Sequence, residues 1–315
     1  MTISMTTTST FIGATDYESS MLNPRCVDTT QLAKRLSKNV RTWQITIVEA
    51  TGSSNTDLLL HLRKNGSTLM PPIVRLAYTQ TAGRGQRGRT WLGMRGDSLM
   101  FSLAYHMPRS SAQLAGLSLA TGVAVVHALS DLPLTYPQAL GLKWPNDVLL
   151  SGRKLGGILI ETVPSAATHI SVVIGIGINL RRADEVVTEQ IIDLARAEKT
   201  MTSATAIPAA LEEILIEPDM TIVLAAVLNR LETMLTRFAI NGFLPFQKDW
   251  ENMHVFANAP IFLIERGQNL LQGIALGIDS QGRLRISTQE GHRIVVSGDV
   301  SVRSVEPKHV YGDKK

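Results

Sequence analysis

Cysteine is nearly absent: among 315 residues only Cys26 carries a thiol. An intramolecular disulfide framework is therefore excluded, and the composition fits a reducing compartment, with the cytosol as the default. Long apolar runs are also lacking. None reaches the roughly 18 residues expected of a membrane span, and the longest candidate, Ile170 to Leu180, is interrupted by Gly175 and Gly177. Met1–Thr10 is rich in Thr and Ser but has no basic residue and no apolar stretch, so it reads as an unstructured lead rather than a signal peptide. No repeat of fixed period occurs. The 7 histidines show no metal-ligand spacing and the lone thiol has no evident partner, which argues against metal hydrolysis and thiol catalysis. A formal net charge of +4 is too small for the whole chain to act as a nucleic-acid magnet.

What is present suits a globular protein with a substantial core: 44% hydrophobic and 18% charged residues, in a length that accommodates one large and one small domain. Periodicity predicts helices over Thr29–Ser37, from Ser53-Ser54-Asn55 onward, and over Leu114–Leu129, Ala209–Ile216 and Ile222–Ala239. Strands are predicted at Thr42–Val48, Ile73–Tyr78 and Ser98–Tyr105. A β-rich centre follows at Gly141–Trp144, Val148–Leu150, Leu155–Thr162 and Ile170–Ile178, with Ser151-Gly152 as a tight hairpin turn. After Pro260 the texture changes to short strands with glycine turns: Ile261–Glu265, Leu270–Ile278, Leu284–Thr288 and Ile294–Val302. Asp279-Ser280-Gln281-Gly282 is a hairpin loop signal there, and the boundary falls near residue 258.

Three constellations carry chemistry. Gly83-Arg84-Gly85-Gln86-Arg87-Gly88-Arg89 follows a strand; its glycines admit close backbone approach and its arginines present planar forks for carboxylate or phosphate. It is neither a Walker loop nor a dinucleotide fingerprint. Such a loop could wrap phosphates and order on their arrival, whereas an Arg/Gly nucleic-acid segment would come in longer, aromatic-interleaved repeats. Lys143-Trp144-Pro145-Asn146-Asp147 and Arg153-Lys154-Leu155-Gly156-Gly157 flank the hairpin. Pro145 keeps Trp144 extended, and the lysines aim point charges either at solvent or into a cleft. Gly175-Ile176-Gly177-Ile178-Asn179 alternates glycine within an apolar strand, which makes either a flat floor for a ligand or a seat for a packed element.

Together with Ser53-Ser54-Asn55, Gln80 and the continuation Ile158-Leu159-Ile160-Glu161, these motifs, in this order, resemble those of biotin–protein ligases. The resemblance runs from about Ile45 to Arg303 and takes in Gly277-Ile278-Asp279 and Gly298-Asp299-Val300-Ser301. It implies an α+β fold related to class II aminoacyl-tRNA synthetases, with a mixed, largely antiparallel sheet and a C-terminal SH3-like β-barrel. The implied division is a partly disordered lead over 1–40, a catalytic biotin- and ATP-binding domain over 41–258, the barrel over 259–305 and a tail over 306–315.

The resemblance also implies roles. Ser53, Ser54 and Gln80 would hydrogen-bond the ureido ring of biotin, with Asn55 and Gly83 in the same biotin-binding set. Gly157, Leu159, Gly175 and Gly177 would line its ring and tail. Arg84 and Lys154 would be the catalytic pair at the biotin carboxylate and the α-phosphate. Gln86, Arg87, Arg89, Trp91, Asn146 and Asn179 would serve ATP and the adenylate. Asp147 would be a magnesium ligand or its neighbour, and a candidate base for the attacking lysine. The implied reaction is formation of biotinyl-5′-AMP from biotin and Mg²⁺-ATP, then transfer to a lysine of a biotin carboxyl carrier protein of acetyl-CoA carboxylase or a related carboxylase.

Two departures from the family pattern stand out. Gln86 occupies a place where many relatives carry arginine. Only about forty residues precede the matching part, too few for the DNA-binding winged helix of some members, so no DNA partner and no repressor role are expected; the lack of a long apolar run leads to the expectation of no membrane partner. The alternatives are a lipoate–protein ligase, which would not need ureido partners at Ser53 and Gln80, and a non-catalytic nucleic-acid-binding protein with steeply salt-dependent affinity.

Overall fold

The computed structural model describes residues 3–5, 23–65, 71–166, 169–182, 208–265, 268–296 and 300–304. Its larger unit is an eight-stranded sheet in the order β1-β2-β3-β4-β8-β7-β6-β5. The strands are β1 (Ile3–Met5), β2 (Gln44–Thr51), β3 (Ile73–Gln80), β4 (Ser98–Met107), β5 (Leu140–Lys143), β6 (Asp147–Leu150), β7 (Arg153–Ala166) and β8 (His169–Asn179). β1, β2 and β3 run parallel and every other pairing is antiparallel, so the mixed, largely antiparallel sheet expected from the sequence is present. β1 departs from the expected unstructured lead, since Ile3–Met5 pairs with Ile45–Ile47. Residues 1–2 and 6–22 of that lead and the tail over 306–315 lie outside the described residues.

The side-chain period of 2 in a strand divides the sheet into two faces. Along β8, Val172, Ile174, Ile176 and Ile178 enter the main core, which also holds α1 (Thr29–Arg35), α3 (Leu117–Ser130) and most of the long α4 (Met220–Asn241). On the other face a small cluster of Leu58, Leu59 and Leu62 from α2 (Ser54–Asn65) covers Ile73, Ala104 and Val173. α2 is short, so it shelters only part of that face, and the uncovered remainder becomes the cleft described below. The stretch Ser111–Ser130 is apolar and long enough to span a membrane by composition, contrary to the sequence reading, but 61% of it lies buried, as for a core helix.

The second unit is a five-stranded sheet in the order β12-β11-β10-β9-β13. It comprises β9 (Pro260–Glu265), β10 (Gln268–Ile278), β11 (Leu284–Thr288), β12 (Gly291–Val295) and β13 (Val300–Ser304), and is antiparallel throughout. The single strand expected over Ile294–Val302 is therefore two strands on opposite edges. The helix expected over Ala209–Ile216 is only a 3₁₀ turn at Leu211–Glu213. Its backbone is taken elsewhere: the Ala209 N–H donates to Lys154 O at 2.8 Å and that of Glu212 to Leu180 O at 3.0 Å. A short helix α5 (Gln247–Met253), absent from the sequence reading, leads into the second unit.

The two units share one core, since Ile261, Leu263, Leu284, Ile286 and Val302 belong to the main cluster. Their joint is tight at the β10–β11 turn. The Gly282 carbonyl accepts the buried Trp144 indole N–H at 3.0 Å. Gly282 has φ +73, and a Cβ there would lie 2.8 Å from Leu119 and 3.0 Å from the Gly116 backbone. Gly282→Ala is predicted to cost about 1–3 kcal/mol through this strain and crowding. Urea unfolding measures it, and a change below roughly 0.5 kcal/mol would contradict the assignment.

Candidate active site

On the α2 face, Gly157, Leu159 and Glu161 of β7 lie opposite Gly177, Gly175 and Val173 of β8. Three glycines in adjoining positions strip the sheet of side chains there. An open cleft of about 880 Å³ lies above them, part of it continuous with solvent. The vacated space is used by protein side chains. A Cβ on Gly177 would lie 2.3 Å from the Trp91 ring, one on Gly157 3.2 Å from it, and one on Gly175 2.3 Å from Asn55 Oδ1. The glycines therefore seat Trp91 and Asn55.

Trp91 arrives on the arginine loop, which is folded as a small hairpin. The Gly85 N–H donates to Arg89 O at 2.7 Å and the Trp91 N–H to Gly83 O at 2.9 Å. Gly83 is needed for closure, since its Cβ would fall 2.2 Å from Trp91 O. Arg87 sits at φ 62, with Gly88 beside it at φ 69. Arg84, Gln86, Arg87 and Arg89 all reach the cleft wall.

One end of the cleft is a polar chain built from α2, β3, β4 and β7. Gln80 Oε1 accepts from the Ser54 N–H at 2.8 Å and from the Ser54 hydroxyl at 3.1 Å. Ser54 Oγ lies 2.7 Å from Ser102 Oγ, which donates to Asn55 Oδ1 at 2.5 Å. Asn55 Nδ2 donates to Glu161 Oε2 at 3.0 Å, and Glu161 Oε1 accepts from Arg84 at 2.7 Å. Ser53 lines the same end. Asn55 is buried, with both ends of its amide engaged by protein, so it orders the wall.

The other end is cationic. Asp147, at the head of β6, accepts from Lys154 at 2.7 Å and from Lys143 at 3.2 Å, one lysine on each oxygen. Burial would raise its carboxyl, but the Lys154 and Lys143 ammonium groups outweigh this and hold it down to about 2. The Lys154 ammonium also lies 5.5 Å from the Trp91 ring centroid, within cation–π range. The lining includes Arg84, Arg87, Arg89, Lys143 and Lys154 against the single carboxylate of Asp147. Such a surplus favours an anionic ligand.

Most residues singled out in the sequence thus meet in one place, including Arg84 and Lys154. Exceptions are Gly83, which closes the hairpin behind the wall, and Asn179. The latter is buried off the cleft and donates its amide to Ala209 O at 3.1 Å. Asn146 lines the cleft, but its amide donates to Ile158 O at 2.9 Å. Trp91 lies on the glycine floor that the sequence reading gave to biotin. Asp147 has no oxygen clear of a lysine, and among the described residues no group of three or more His, Cys, Asp or Glu side chains can hold a metal. This donor set does not fit a protein-held magnesium ion. The sequence reading gave no site role to Lys143, Ser102 or Val302, all at the wall. Lys143 stood in a motif already, whereas β13 brings Val302 from the second unit by tertiary docking alone.

Two outcomes follow. Gly177→Ala is predicted to push Trp91 off the floor at a cost of about 1–3 kcal/mol, with altered tryptophan emission; unchanged emission and stability would contradict the packing. Because the folded pKa of Asp147 lies below its ordinary 3.8, the ionised carboxylate stabilises the fold above about pH 4, and this is lost as pH falls towards 2. The deficit of Asp147→Asn, on the order of 2 kcal/mol at neutral pH, is predicted to shrink across that window in denaturant titrations. A deficit independent of pH would contradict it.

Known proteins resemble this chain in sequence and fold. Residues 48–179 match the biotin/lipoate A/B protein ligase family, and residues 260–303 match the biotin protein ligase C terminal domain. The chain is 32% identical over 231 residues to the bifunctional ligase/repressor BirA of Escherichia coli, covering 73% of this chain and 66% of that protein. It is 31% identical over 261 residues to the biotin–[acetyl-CoA-carboxylase] ligase of Mycobacterium tuberculosis, covering 82% of this chain and 88% of that one. Among solved structures, the biotin protein ligase of Aquifex aeolicus in complex with biotin and ATP superposes with a TM-score of 0.61 at 25% identity, covering 82% of this chain and 98% of that one. With a shared sheet, a shared C-terminal unit and matches across both, the chain belongs to the biotin–protein ligases of the biotin/lipoate A/B protein ligase family.

Proposed function

We propose that this protein is a cytoplasmic, ATP-dependent ligase. It forms biotinyl-5′-AMP and transfers biotin to a lysine of a biotin carboxyl carrier protein, that of acetyl-CoA carboxylase or a related carboxylase. The observation that carries this reading is the meeting, in one cleft, of the Gln80–Ser54 polar end, the arginine hairpin and Lys154. The Mycobacterium tuberculosis relative is named a biotin–[acetyl-CoA-carboxylase] ligase, and the Aquifex aeolicus protein was solved with biotin and ATP. We also read the large sheet as related to the class II aminoacyl-tRNA synthetase core and the second unit as an SH3-like barrel. The division is a lead over 1–40, a catalytic domain over 41–258, the barrel over 259–305 and a tail over 306–315.

The polar end offers hydroxyls and an amide for the ureido ring, and the slot beside Leu159 and Trp91 takes the aliphatic tail. The tail's carboxylate then points towards the cations. An oxygen of that carboxylate attacks the α-phosphorus of ATP, the bond to the bridging oxygen breaks, and pyrophosphate leaves. Arg84 and Lys154 neutralise charge on the carboxylate and the α-phosphate, so the step is catalysed by positioning and electrostatics. Any magnesium in this step would travel with the nucleotide's phosphates, since among the described residues lining the cleft the one carboxylate, Asp147, has both oxygens tied to lysines. The folded hairpin covers the mixed anhydride and excludes water. In the second step the carrier's lysine nitrogen attacks the acyl carbon, AMP leaves, and the amine gives up a proton. Asp147 is a poor base for that proton, held as it is to about 2 by two lysines. The cationic rim instead favours the neutral form of an incoming amine.

The test is ATP–pyrophosphate exchange with biotin and with lipoate side by side. Biotin-dependent exchange is expected, and exchange with lipoate alone would contradict the reading. Lys154→Ala is expected to lower it by about 100-fold or more with unfolding stability retained; near-normal exchange would refute its role. Arg84→Ala is expected to release biotinyl-AMP into solution, and full retention would refute the hairpin's.

A further inference from the structure

Arg84 belongs to a surface hairpin and its side chain is 46% exposed. An arginine so placed would sample many rotamers, and ordering it on a ligand would cost entropy each time. Here it is held. Its guanidinium donates to Glu161 Oε1 at 2.7 Å, with Thr56 Oγ1 more distant at 3.4 Å. Glu161 is the next residue after Leu159 on the cleft face of β7, but it stands behind the wall and does not line the cavity. Its side chain is 21% exposed. Its second oxygen accepts from Asn55 at 3.0 Å, and Asn55 is seated in the hole left by Gly175 and tied to Ser102. The carboxylate is therefore fixed at both oxygens from a rigid strand and a buried amide, and only one of its partners belongs to the hairpin.

From this geometry we infer that Glu161 is a positioning residue, a fixed anion that holds Arg84 against the cleft wall and pins the arginine hairpin before substrate arrives. Its effect on catalysis rests on the proposed role of Arg84 at the biotin carboxylate; its effect on the hairpin does not. Asn55 serves the same arrangement by aiming Glu161. The Ser54–Ser102–Asn55–Glu161–Arg84 chain consequently links the polar end of the cleft to the hairpin.

Two readouts separate the positioning role from the ligase reading. The first needs no substrate: limited trypsin cleavage after Arg84 in the intact protein. An ion pair of this exposure restrains the side chain by roughly fivefold in equilibrium terms, so cleavage in Glu161→Gln is expected to quicken by about that factor, and likewise in Glu161→Asp, whose shorter arm withdraws from Arg84. The melting temperature should be unchanged in at least one of the two. The second readout is a double-mutant cycle in biotin-dependent pyrophosphate exchange. Glu161→Gln alone is expected to lose about fivefold in kcat/KM. In an Arg84→Ala background the same change should cost less than about twofold, because its target is gone. Cleavage no faster than in the parent in both variants would overturn the proposal, as would a loss in exchange that persists in full without Arg84. A parent with no exchange at all but faster cleavage in the variants would overturn the ligase reading and leave the brace standing.

Discussion

The rest of the site depends on the absence of side chains at Gly157, Gly175 and Gly177. On a sheet whose other face is packed with Val172, Ile174, Ile176 and Ile178, the cleft face of the same strands is bare. Into that space go an indole and an amide. With Trp91 down on Gly177, the hairpin from Gly83 to Trp91 closes, and Arg84 comes within reach of Glu161. With Asn55 down on Gly175, Glu161 has its second partner. Glycine in a strand weakens it through entropy and lost packing. Here the packing of half-buried Trp91 and the burial of Asn55 offset that loss.

A second regularity follows from electrostatics. The key cations of the cleft are each tied to a carboxylate: Lys154 and Lys143 to Asp147, Arg84 to Glu161. Two carboxylates thus hold three cations in place without cancelling the positive surplus of the lining. A group held in position loses less entropy on meeting its ligand than one that must be ordered. The arrangement therefore trades some charge for geometry. The joint between the units works in the same direction. Gly282 anchors Trp144 in the turn between Lys143 and Asp147, so the second sheet helps to set where β5 ends at Lys143 and β6 begins at Asp147.

Much of this was legible in the sequence, and the losses have identifiable causes. Strands β2 to β11 announced themselves by apolar runs and turn residues, as did the Ser151-Gly152 hairpin, where both residues have positive φ. The convergence of Arg84 with Lys154 was implied by the family resemblance that the motifs carry, and both line the cleft. What could not be read was which space a glycine vacates and for whom. Asn55 lines the cleft as expected, but nothing local shows that Gly175 receives its side chain. Glu161 sat in a quoted motif without a role, since its partner lies 77 residues away in the chain. At Asn179 a polar residue ending an apolar strand gives no local sign that Ala209, thirty residues on, accepts its amide. Ala209–Ile216 had helical composition, but β7 and the segment after β8 claimed its backbone donors.

The central claim is that Arg84 and Lys154 act on one anion, beside a slot floored by glycine and walled by Trp91. A crystal structure of the complete protein with a non-hydrolysable biotinyl-adenylate analogue tests it most directly. The account predicts both cations within about 3.2 Å of oxygens of the acyl-phosphate linkage, with the ureido ring at the Gln80 end and the hairpin closed. An analogue bound with either cation turned away from that linkage, or lying outside the Trp91 wall, would contradict it.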